Sequence, residues 1–397
     1  MNDQPSNALL PPGMNDILPP DAAFEARIVE RLLTVFKSSG YEQVKPPLLE
    51  FEDSLLGGAG AAMTNQTFRL MDPVSQAMLG LRADMTLQVA RIATTRLAHE
   101  PRPLRLCYAG QVLVVSGSQL RPERQVGQAG VELIGSQSPR ADAEVIGLAH
   151  EALSAIGIEG LSVDLNLPTL VDEVVNGLGI EAAAVRSALD RKDAGELAAL
   201  AGVGGALLTS LLKATGPADA TLAALGTMDL PAAARAACQR LAEVVALVKD
   251  AAPEISITID PVENRGFEYH AGVTFVLFAM GVRGELGRGG GYLAGGGVNG
   301  TTASSARIAH DGAEPATGFT LFMDTVLGAL TPDQSAKRIY LPLATSAADR
   351  RALKAEGWIG VAGLEAVDDE EAEAARLGCS HVLSGGKPRP VKGTKGG

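Results

Sequence analysis

Cysteine is scarce in this chain: there are three in 397 residues, and Cys107, Cys238 and Cys379 lie far apart. An odd number of widely spaced cysteines builds neither a disulfide framework nor a CxxC metal site, so we interpret them as reduced thiols of the core. The five histidines are equally scattered, and none forms a pair at metal-ligand spacing on a helix. We therefore expect no structural zinc, no other metal and no cofactor.

Long apolar runs are also missing. Hydrophobic residues make up 46% of the chain, yet no stretch reaches the ~18 uninterrupted apolar residues that a membrane-spanning helix needs. The first twenty residues carry acids and prolines where a secretory signal has basic residues and then an apolar block, so we expect a cytoplasmic chain. The net charge of −12 argues against nucleic-acid binding through counterion release. The basic residues of 387–397 are typical of a frayed end.

The order of the remaining patterns predicts an α+β protein, in which an antiparallel sheet is flanked by helices. Apolar residues at helical spacing predict a helix from Asp21 to the glycine at position 40, and prolines then allow only an extended segment over 41–51. Short apolar runs separated by turn residues predict an antiparallel meander over 67–134, with a helix at 86–98. Further patterns predict a helix at 141–156, strands at 161–167, 255–260 and 273–280, and an apolar helix at about 318–330.

The section between these strands has a different character. Residues 169–252 are rich in Ala and Leu without strand-like alternation, which predicts a helical insertion. Sheet segments on both sides of the insertion imply one discontinuous domain. After residue 331, strands alternate with helices, as in a small α/β unit. We therefore predict a core over 1–168 and 253–330, an insertion over 169–252 and a small C-terminal α/β unit over 331–397.

Four clusters carry polar side chains that suit a ligand site, and each has an ordinary alternative. The run from Gly289 to Tyr292 would let a ligand approach the backbone, or would be a flexible loop. The segment 264–270 gathers Arg265, Tyr269 and His270, or is a solvated loop. Gln128 and Glu132 share one face of a strand, which is either interior or the solvent face of an edge strand. Arg82, Asp84 and Thr86 alternate before a helix, where Asp and Thr are also common caps.

Taken together and in this order, the clusters resemble the active-site framework of histidyl-tRNA synthetases, which are class II synthetases, over roughly residues 10–330. PPGMNDILPP at 11–20 is similar to that family's amino-terminal signature. The helix ending at position 40 and the extended segment after it are similar to the class II dimerisation motif. LRADMT at 81–86 is similar to the family's LRPEGT, the stretch 121–135 to its RQFHQ-IGVE region, and NRGFEYHAG at 264–272 to its RGLDYYTG. The resemblance implies a class II synthetase-like fold and a pocket for free histidine, formed by Asp84, Thr86, Gln128, Glu132, Arg265, Tyr269, His270 and Tyr292.

The sequence departs from the family where the family binds ATP. An FRxE segment supplies Arg and Glu there, but residues 113–116 of this chain read LVVS. A second arginine, expected in the helix after GFxxG, is replaced by Thr325. Because charge builds on the α-phosphate during amino-acid activation, loss of both arginines predicts loss of adenylation. The short C-terminal unit and the acidic surface also argue against a tRNA partner.

This combination resembles the regulatory subunits of ATP phosphoribosyltransferases, which are synthetase paralogues without chemistry of their own. The resemblance implies a class II-style dimer that assembles with short catalytic subunits, activates phosphoribosyl transfer in the first step of histidine biosynthesis and contributes to histidine feedback. Two alternatives remain: a working histidyl-tRNA synthetase, and a stand-alone histidine-binding protein or ligase.

Overall fold

The computed structural model describes residues 10–57, 63–117, 121–178, 182–193, 195–197, 203–263, 270–295, 313–331 and 337–391. Two compact units divide the chain, over residues 1–330 and 331–397. Within the described ranges, no helix combines the length and the apolar character that a membrane crossing requires.

A nine-stranded mixed sheet forms the centre of the first unit. Its spatial order is β1-β5-β6-β12-β11-β10-β7-β9-β8. The strands are β1 (Glu42–Gln43), β5 (Leu104–Leu113), β6 (Gln125–Ile134), β7 (Leu161–Asn166), β8 (Gly216–Pro217), β9 (Ser256–Asp260), β10 (His270–Ala279), β11 (Gly287–Ala294) and β12 (Glu314–Phe322). The six neighbouring strands from β5 to β7 pair antiparallel, whereas β1 with β5 and β7 with β9 pair parallel.

Helices cover one face of this sheet. In α1 (Asp21–Ser38), a buried residue recurs every fourth position at Phe24, Ile28, Leu32 and Phe36, which places one apolar stripe against the sheet. The ring of Phe36 meets that of Phe319 of β12 edge to face, with centroids 5.6 Å apart. Next to α1 lies α4 (Pro139–Ala155), which begins with Ser138 as N-cap and a proline in its first turn.

The helical section follows β7. It comprises α5 (Leu170–Leu178), α6 (Ala182–Asp190), α7 (Val203–Lys213), α8 (Ala218–Thr227) and α9 (Ala232–Ala251). The long helix α9 packs on α4, and Arg240 donates to a buried carboxylate of α4, Asp142, at 2.6 Å. These helices share one hydrophobic core with α1, α4 and the sheet. The division of this unit into a core and an insertion over residues 169–252 stays a prediction.

The opposite face of the sheet is covered by smaller elements. A three-stranded sheet, in the order β2-β4-β3, is built from β2 (Leu49–Phe51), β3 (Arg69–Met71) and β4 (Met78–Leu81), with the short helix α2 (Glu52–Leu55) beside it. It leads into α3 (Thr86–Thr95), whose Val89 packs with Met85, Leu106 and Tyr108 in a second core. Polar residues lie between this core and the sheet, and they form the candidate site.

The second unit has its own sheet, in the order β14-β13-β15-β16. Its strands are β13 (Arg338–Leu341), β14 (Ile359–Ala362), β15 (His381–Ser384) and β16 (Lys387–Pro390), and its helices are α11 (Ala347–Ala355) and α12 (Glu370–Arg376). Strands and helices alternate as predicted. The expected frayed end is wrong for its first four residues, because β16 pairs antiparallel with β15.

Two further predictions need correction. The runs within 67–134 form no single meander, because β3 and β4 belong to the small sheet whereas β5 and β6 belong to the large one. The helix predicted at 318–330 is a strand to Phe322, followed by the short helix α10 (Met323–Gly328). Residues 314–322 lie between β6 and β11 in the sheet, and both neighbours form hydrogen bonds with their backbone. This position favours a strand over a helix.

Candidate functional site

The candidate site lies on the face of the large sheet that α3 covers. Register places Glu132 of β6, Gly318 of β12 and Gly290 of β11 side by side in one cross-strand row. The next row on the same face holds Tyr108, Gly130, Thr320 and Arg288, from β5, β6, β12 and β11. Because alternate residues of a strand share a face, four strands present these side chains to one space.

Glu132 is the central acid of this face. Its side chain is buried, with the residue 1% exposed, and its Oε1 accepts a hydrogen bond from the Tyr108 hydroxyl at 3.2 Å. Its Oε2 accepts from the Tyr292 hydroxyl at 2.9 Å. Burial raises the pKa of Glu132 to about 8, since hydrogen bonds from hydroxyls only partly offset the loss of water. A pKa of about 8 keeps this carboxyl mostly protonated at neutral pH.

Glycines under these side chains give them room. A Cβ on Gly318 would lie 2.0 Å from Oε2 of Glu132 and 2.4 Å from the carbonyl oxygen of Val131. A Cβ on Gly130 would lie 2.6 Å from the Tyr108 hydroxyl oxygen. Only glycine at these two positions lets the carboxyl and the phenol lie across the sheet.

Asp84 and Gln128 form a second polar group beside Glu132. Gln128 donates through Nε2 to Oδ2 of Asp84 at 3.2 Å, and its Oε1 accepts from the Met85 backbone N–H at 3.1 Å. The other oxygen of Asp84 accepts from the Thr86 backbone N–H at 2.8 Å. Neither Asp84 nor Thr86 is the N-cap of α3, because that position is Met85, although one oxygen of Asp84 bonds the first residue of the helix. The side chain of Asp84 also faces the space beside Glu132. Burial is the largest influence on its pKa, which is raised.

A chain of hydroxyl groups links α3 to the sheet. The Tyr108 hydroxyl lies 2.8 Å from Oγ1 of Thr320 and 3.2 Å from Oγ1 of Thr86. Sequence reasoning missed Tyr108 and Thr320. Gln128, Gly130 and Glu132 alternate on one face of β6, which the sequence shows. Only the strand register shows that Tyr108 lies opposite Gly130.

Arg288 also lines the pocket, and sequence reasoning missed it as well. Its Nε donates to Oε2 of Glu285 at 3.1 Å, and Arg121 donates to the same carboxylate. Both guanidinium groups lie over the ring of Phe322, at 5.8 Å for Arg288 and 3.8 Å for Arg121. We use "the pocket" for the space enclosed by Asp84, Thr86, Glu132, Arg288, Gly289, Gly290, Tyr292, Gly318, Phe319, Thr320 and Phe322.

The structure brings together five of the eight residues predicted for the site. Asp84, Thr86, Glu132 and Tyr292 line the pocket, and Gln128 braces Asp84 from the side. Of the other three, the backbone of His270 lies opposite Tyr292 in the β10–β11 pair, while its side chain is outside the described residues. Arg265 and Tyr269 lie outside them altogether. Histidine binding at this pocket stays a prediction.

The glycine run beside the pocket is a strand and no loop. Residues 289–291 pair with β12 throughout, so the flexible-loop interpretation is wrong. Among the described residues, no group of three His, Cys, Asp or Glu side chains could hold a metal ion. The polar side chains that line the pocket are thus carboxyls, hydroxyls and one guanidinium, which suit a small ligand with cationic and hydrogen-bonding groups.

Comparison with known proteins agrees with this geometry. The histidyl-tRNA synthetase family profile matches residues 13–326. A solved structure from Bacillus halodurans, described as an ATP phosphoribosyltransferase regulatory subunit/histidyl-tRNA synthetase, is similar at a TM-score of 0.76 and 24% identity, over 94% of this chain and 97% of that one. The histidyl-tRNA synthetase from Nostoc sp. reaches a TM-score of 0.77 at 17% identity, over 95% and 91%. These two likenesses concern the fold alone, and they confirm the predicted fold class.

Closer relatives are found among curated sequences. The ATP phosphoribosyltransferase regulatory subunit of Rhodospirillum centenum is 54% identical over 391 residues, which cover 98% of this chain and 97% of that protein. The protein of the same name from Paramagnetospirillum magneticum is 53% identical over 386 residues, or 96% and 98%. The resemblance inferred from the motifs is thereby confirmed. The chain belongs to the family of ATP phosphoribosyltransferase regulatory subunits, which share the histidyl-tRNA synthetase fold.

Proposed function

We propose that this chain is the non-catalytic regulatory subunit that activates a short-form ATP phosphoribosyltransferase catalytic subunit in the first step of histidine biosynthesis. The observation that carries the proposal is 54% identity, over 98% of the chain, to a protein named as such a subunit. Two positions agree with a non-catalytic role, since Val114 and Thr325 stand where the synthetase resemblance places ATP-binding arginines. Without those charges, the phosphate charge that builds during adenylation is not neutralised.

The pocket is the proposed histidine sensor. Glu132 and Asp84 are two buried acids that would gain a favourable partner from the α-ammonium or imidazole group of histidine. The Tyr292 and Tyr108 hydroxyls hold the carboxyl of Glu132 in place, so little side-chain entropy is lost on binding. Arg265, Tyr269 and His270 belong to this proposed site by resemblance.

Feedback also requires that histidine bind two states of the assembly unequally. A coupling of about 1–3 kcal/mol is typical, which is a 5- to 150-fold change in affinity. The pocket spans β6, β11 and β12 and is closed by the start of α3. A shift of α3 relative to the sheet would alter both carboxyl environments at once, and this is the element through which we expect coupling.

We further propose that two copies associate through the three-stranded sheet, whose first strand begins at the end of the segment that resembles the class II dimerisation motif. Apolar side chains on this sheet are exposed by 37–56%: Leu49, Phe51, Leu70, Met71 and Met78. By register, Leu49, Phe51 and Leu70 share one face of this sheet, whereas Met71 and Met78 lie on the other. Exposed apolar side chains grouped on one face are typical of association sites. Phe51→Glu should convert a dimer to a monomer in light scattering, whereas Ile359→Glu, at an exposed apolar residue of the second unit, should not. A Phe51→Glu variant that stays dimeric would exclude this face.

Reconstitution tests the regulatory function. The catalytic subunit alone, this chain alone and their mixture should be assayed for phosphoribosyl-ATP formation. We expect turnover to rise only in the mixture, and added histidine to lower it. A catalytic subunit that neither associates with this chain nor changes its rate would exclude the proposal.

The alternatives predict different results. A working histidyl-tRNA synthetase would catalyse histidine-dependent ATP–pyrophosphate exchange, whereas a stand-alone binding protein would bind histidine without responding to a transferase. The net charge of −12 also makes tRNA an unfavourable partner, and three buried free cysteines are in keeping with a reducing cytoplasm.

Calorimetry tests the pocket separately. Histidine should bind wild type, bind Glu132→Ala at least tenfold more weakly, and bind the control Glu159→Ala, at an exposed position, as well as wild type. Equal affinities of wild type and Glu132→Ala would remove this pocket from the proposal.

A further inference from the structure

Arg288 is the one cationic side chain among the described residues that line the pocket. It lies opposite Thr320 in the β11–β12 pair, on the same face of β11 as Gly290 and Tyr292. Its row is the neighbour of the row that holds Glu132. Glu132 and Arg288 belong to strands separated by β12, so an acid and a cation face the same pocket from two different strands.

Contacts on two sides hold the Arg288 guanidinium. Glu285 accepts from its Nε at 3.1 Å and from its NH2 group at 2.5 Å, and Phe322 lies under it with the ring centroid 5.8 Å from Cζ. Glu285 is shared with Arg121, so one carboxylate is the partner of two guanidinium groups. The side chain is 29% exposed, which leaves it in contact with the opening of the pocket.

The pocket therefore carries groups of both charge signs. Glu132 and Asp84 contribute carboxyls and Arg288 contributes a guanidinium, whose charge partly offsets the burial that raises the pKa of Asp84. Between them, Gly290 and Gly318 put no side chain on the floor. A free amino acid carries the matching charges, since its carboxylate is anionic and its ammonium group is cationic at neutral pH.

We propose that Arg288 binds the α-carboxylate of the amino acid in the pocket and thereby selects free histidine over analogues that lack the carboxylate. This inference rests on the proposed histidine site. A guanidinium suits the role because its planar fork bonds both carboxylate oxygens at once.

Histidinol is the probe for this inference, because a hydroxymethyl group replaces its carboxylate and the rest of the molecule is unchanged. L-histidine and L-histidinol should be titrated by calorimetry into wild type, Arg288→Gln, Arg288→Lys, Arg265→Gln and Arg283→Gln. Arg283 is the matched control, because it is an exposed arginine in the turn between β10 and β11.

We expect wild type to bind histidine at least about tenfold more tightly than histidinol, which is typical of one charge-assisted hydrogen bond. In Arg288→Gln this ratio should fall to about one, with histidinol affinity within twofold of wild type. Arg288→Lys, which keeps the charge and loses the fork, should give an intermediate ratio. Arg283→Gln should keep the wild-type ratio.

Three results would overturn the inference. An Arg288→Gln protein that binds histidinol normally and keeps the wild-type ratio removes Arg288 from the role. Collapse of the ratio in Arg265→Gln alone assigns the carboxylate to Arg265. A wild-type ratio of one means that no residue recognises the carboxylate. If wild type binds neither compound, the proposed histidine site is excluded as well. Failure of the Arg288 inference alone is recognised because wild type still binds histidine.

Discussion

The buried carboxyl of Glu132 makes folding depend on pH in an unusual direction. Its pKa is about 8 in the folded chain and 4.5 as the reference value, because burial disfavours the ionised form. An acid with a raised pKa binds more protons in the folded state, so its favourable contribution is full below pH 4.5 and is lost as pH rises through 8. At about 1.36 kcal/mol per pKa unit, the full loss is roughly 5 kcal/mol as an upper value.

Glu132→Gln should remove this dependence. The amide has the same shape and keeps an oxygen that accepts from Tyr292 or Tyr108, but it does not ionise. We expect the free energy of unfolding of wild type, relative to this variant, to fall by up to about 1.4 kcal/mol per pH unit between pH 5 and 7.5.

Urea titrations at intervals of half a pH unit measure this difference. Comparison with the variant isolates Glu132, since Asp84 also has a raised pKa and acts in the same direction in both proteins. The exposed Glu159→Gln is the control, and its curve should parallel wild type. Parallel curves for wild type and Glu132→Gln would refute the assignment of a protonated buried acid.

Three further predictions follow from the same contacts. Because an ionised Glu132 attracts the ammonium group of histidine, raising pH from 6.5 to 8 should strengthen histidine binding roughly tenfold in calorimetry, and Glu132→Gln should abolish that gain. Gly318→Ala should destabilise the chain by about 1–3 kcal/mol or more in urea unfolding, because its Cβ meets a backbone carbonyl at 2.4 Å, whereas Gly328→Ala, with open space around it, should not. Arg240→Gln should cost about 3 kcal/mol in thermal or urea unfolding, because it leaves the carboxylate of Asp142, a side chain only 7% exposed, without its cation.

Local patterns in the sequence predicted much of the fold. The stripe from Phe24 to Phe36 predicted α1 because an amphipathic helix needs no distant information, and even spacing placed Gln128 and Glu132 on one strand face. The resemblance then assigned Asp84, Thr86 and Tyr292 to the same site, and the structure brings them together. The order of the motifs therefore predicted contacts between residues that are far apart in the sequence. Periodicity alone does not predict such contacts.

Other features depend on tertiary register and could not be read from the sequence. Residues 287–291 look like a loop because five positions include four glycines, yet they form a strand. A Cβ on Gly289 would lie 2.5 Å from the ring of Phe275, so that glycine is needed for packing within the sheet and gives no sign of flexibility. Tyr108 reaches Glu132, and Arg288 lines the pocket, only because β5, β6, β12 and β11 are adjacent in this order. A one-residue change of register would turn both side chains to the other face.

One property of the pocket links the stability of the folded chain to the proposed role of the pocket as a histidine sensor. A buried acid that holds its proton at neutral pH costs folding energy once it ionises, and a bound cation reverses that cost. Histidine would therefore stabilise most strongly the state in which Glu132 is most buried, since a ligand that binds only one state adds RT ln(1 + [L]/Kd) to its stability. Loss of the ATP-binding arginines leaves this half of the site intact, because Val114 and Thr325 contribute nothing to the hydrogen bonds that hold Glu132. Under the proposed function, a scaffold that has lost histidine activation would in this way still report the histidine concentration.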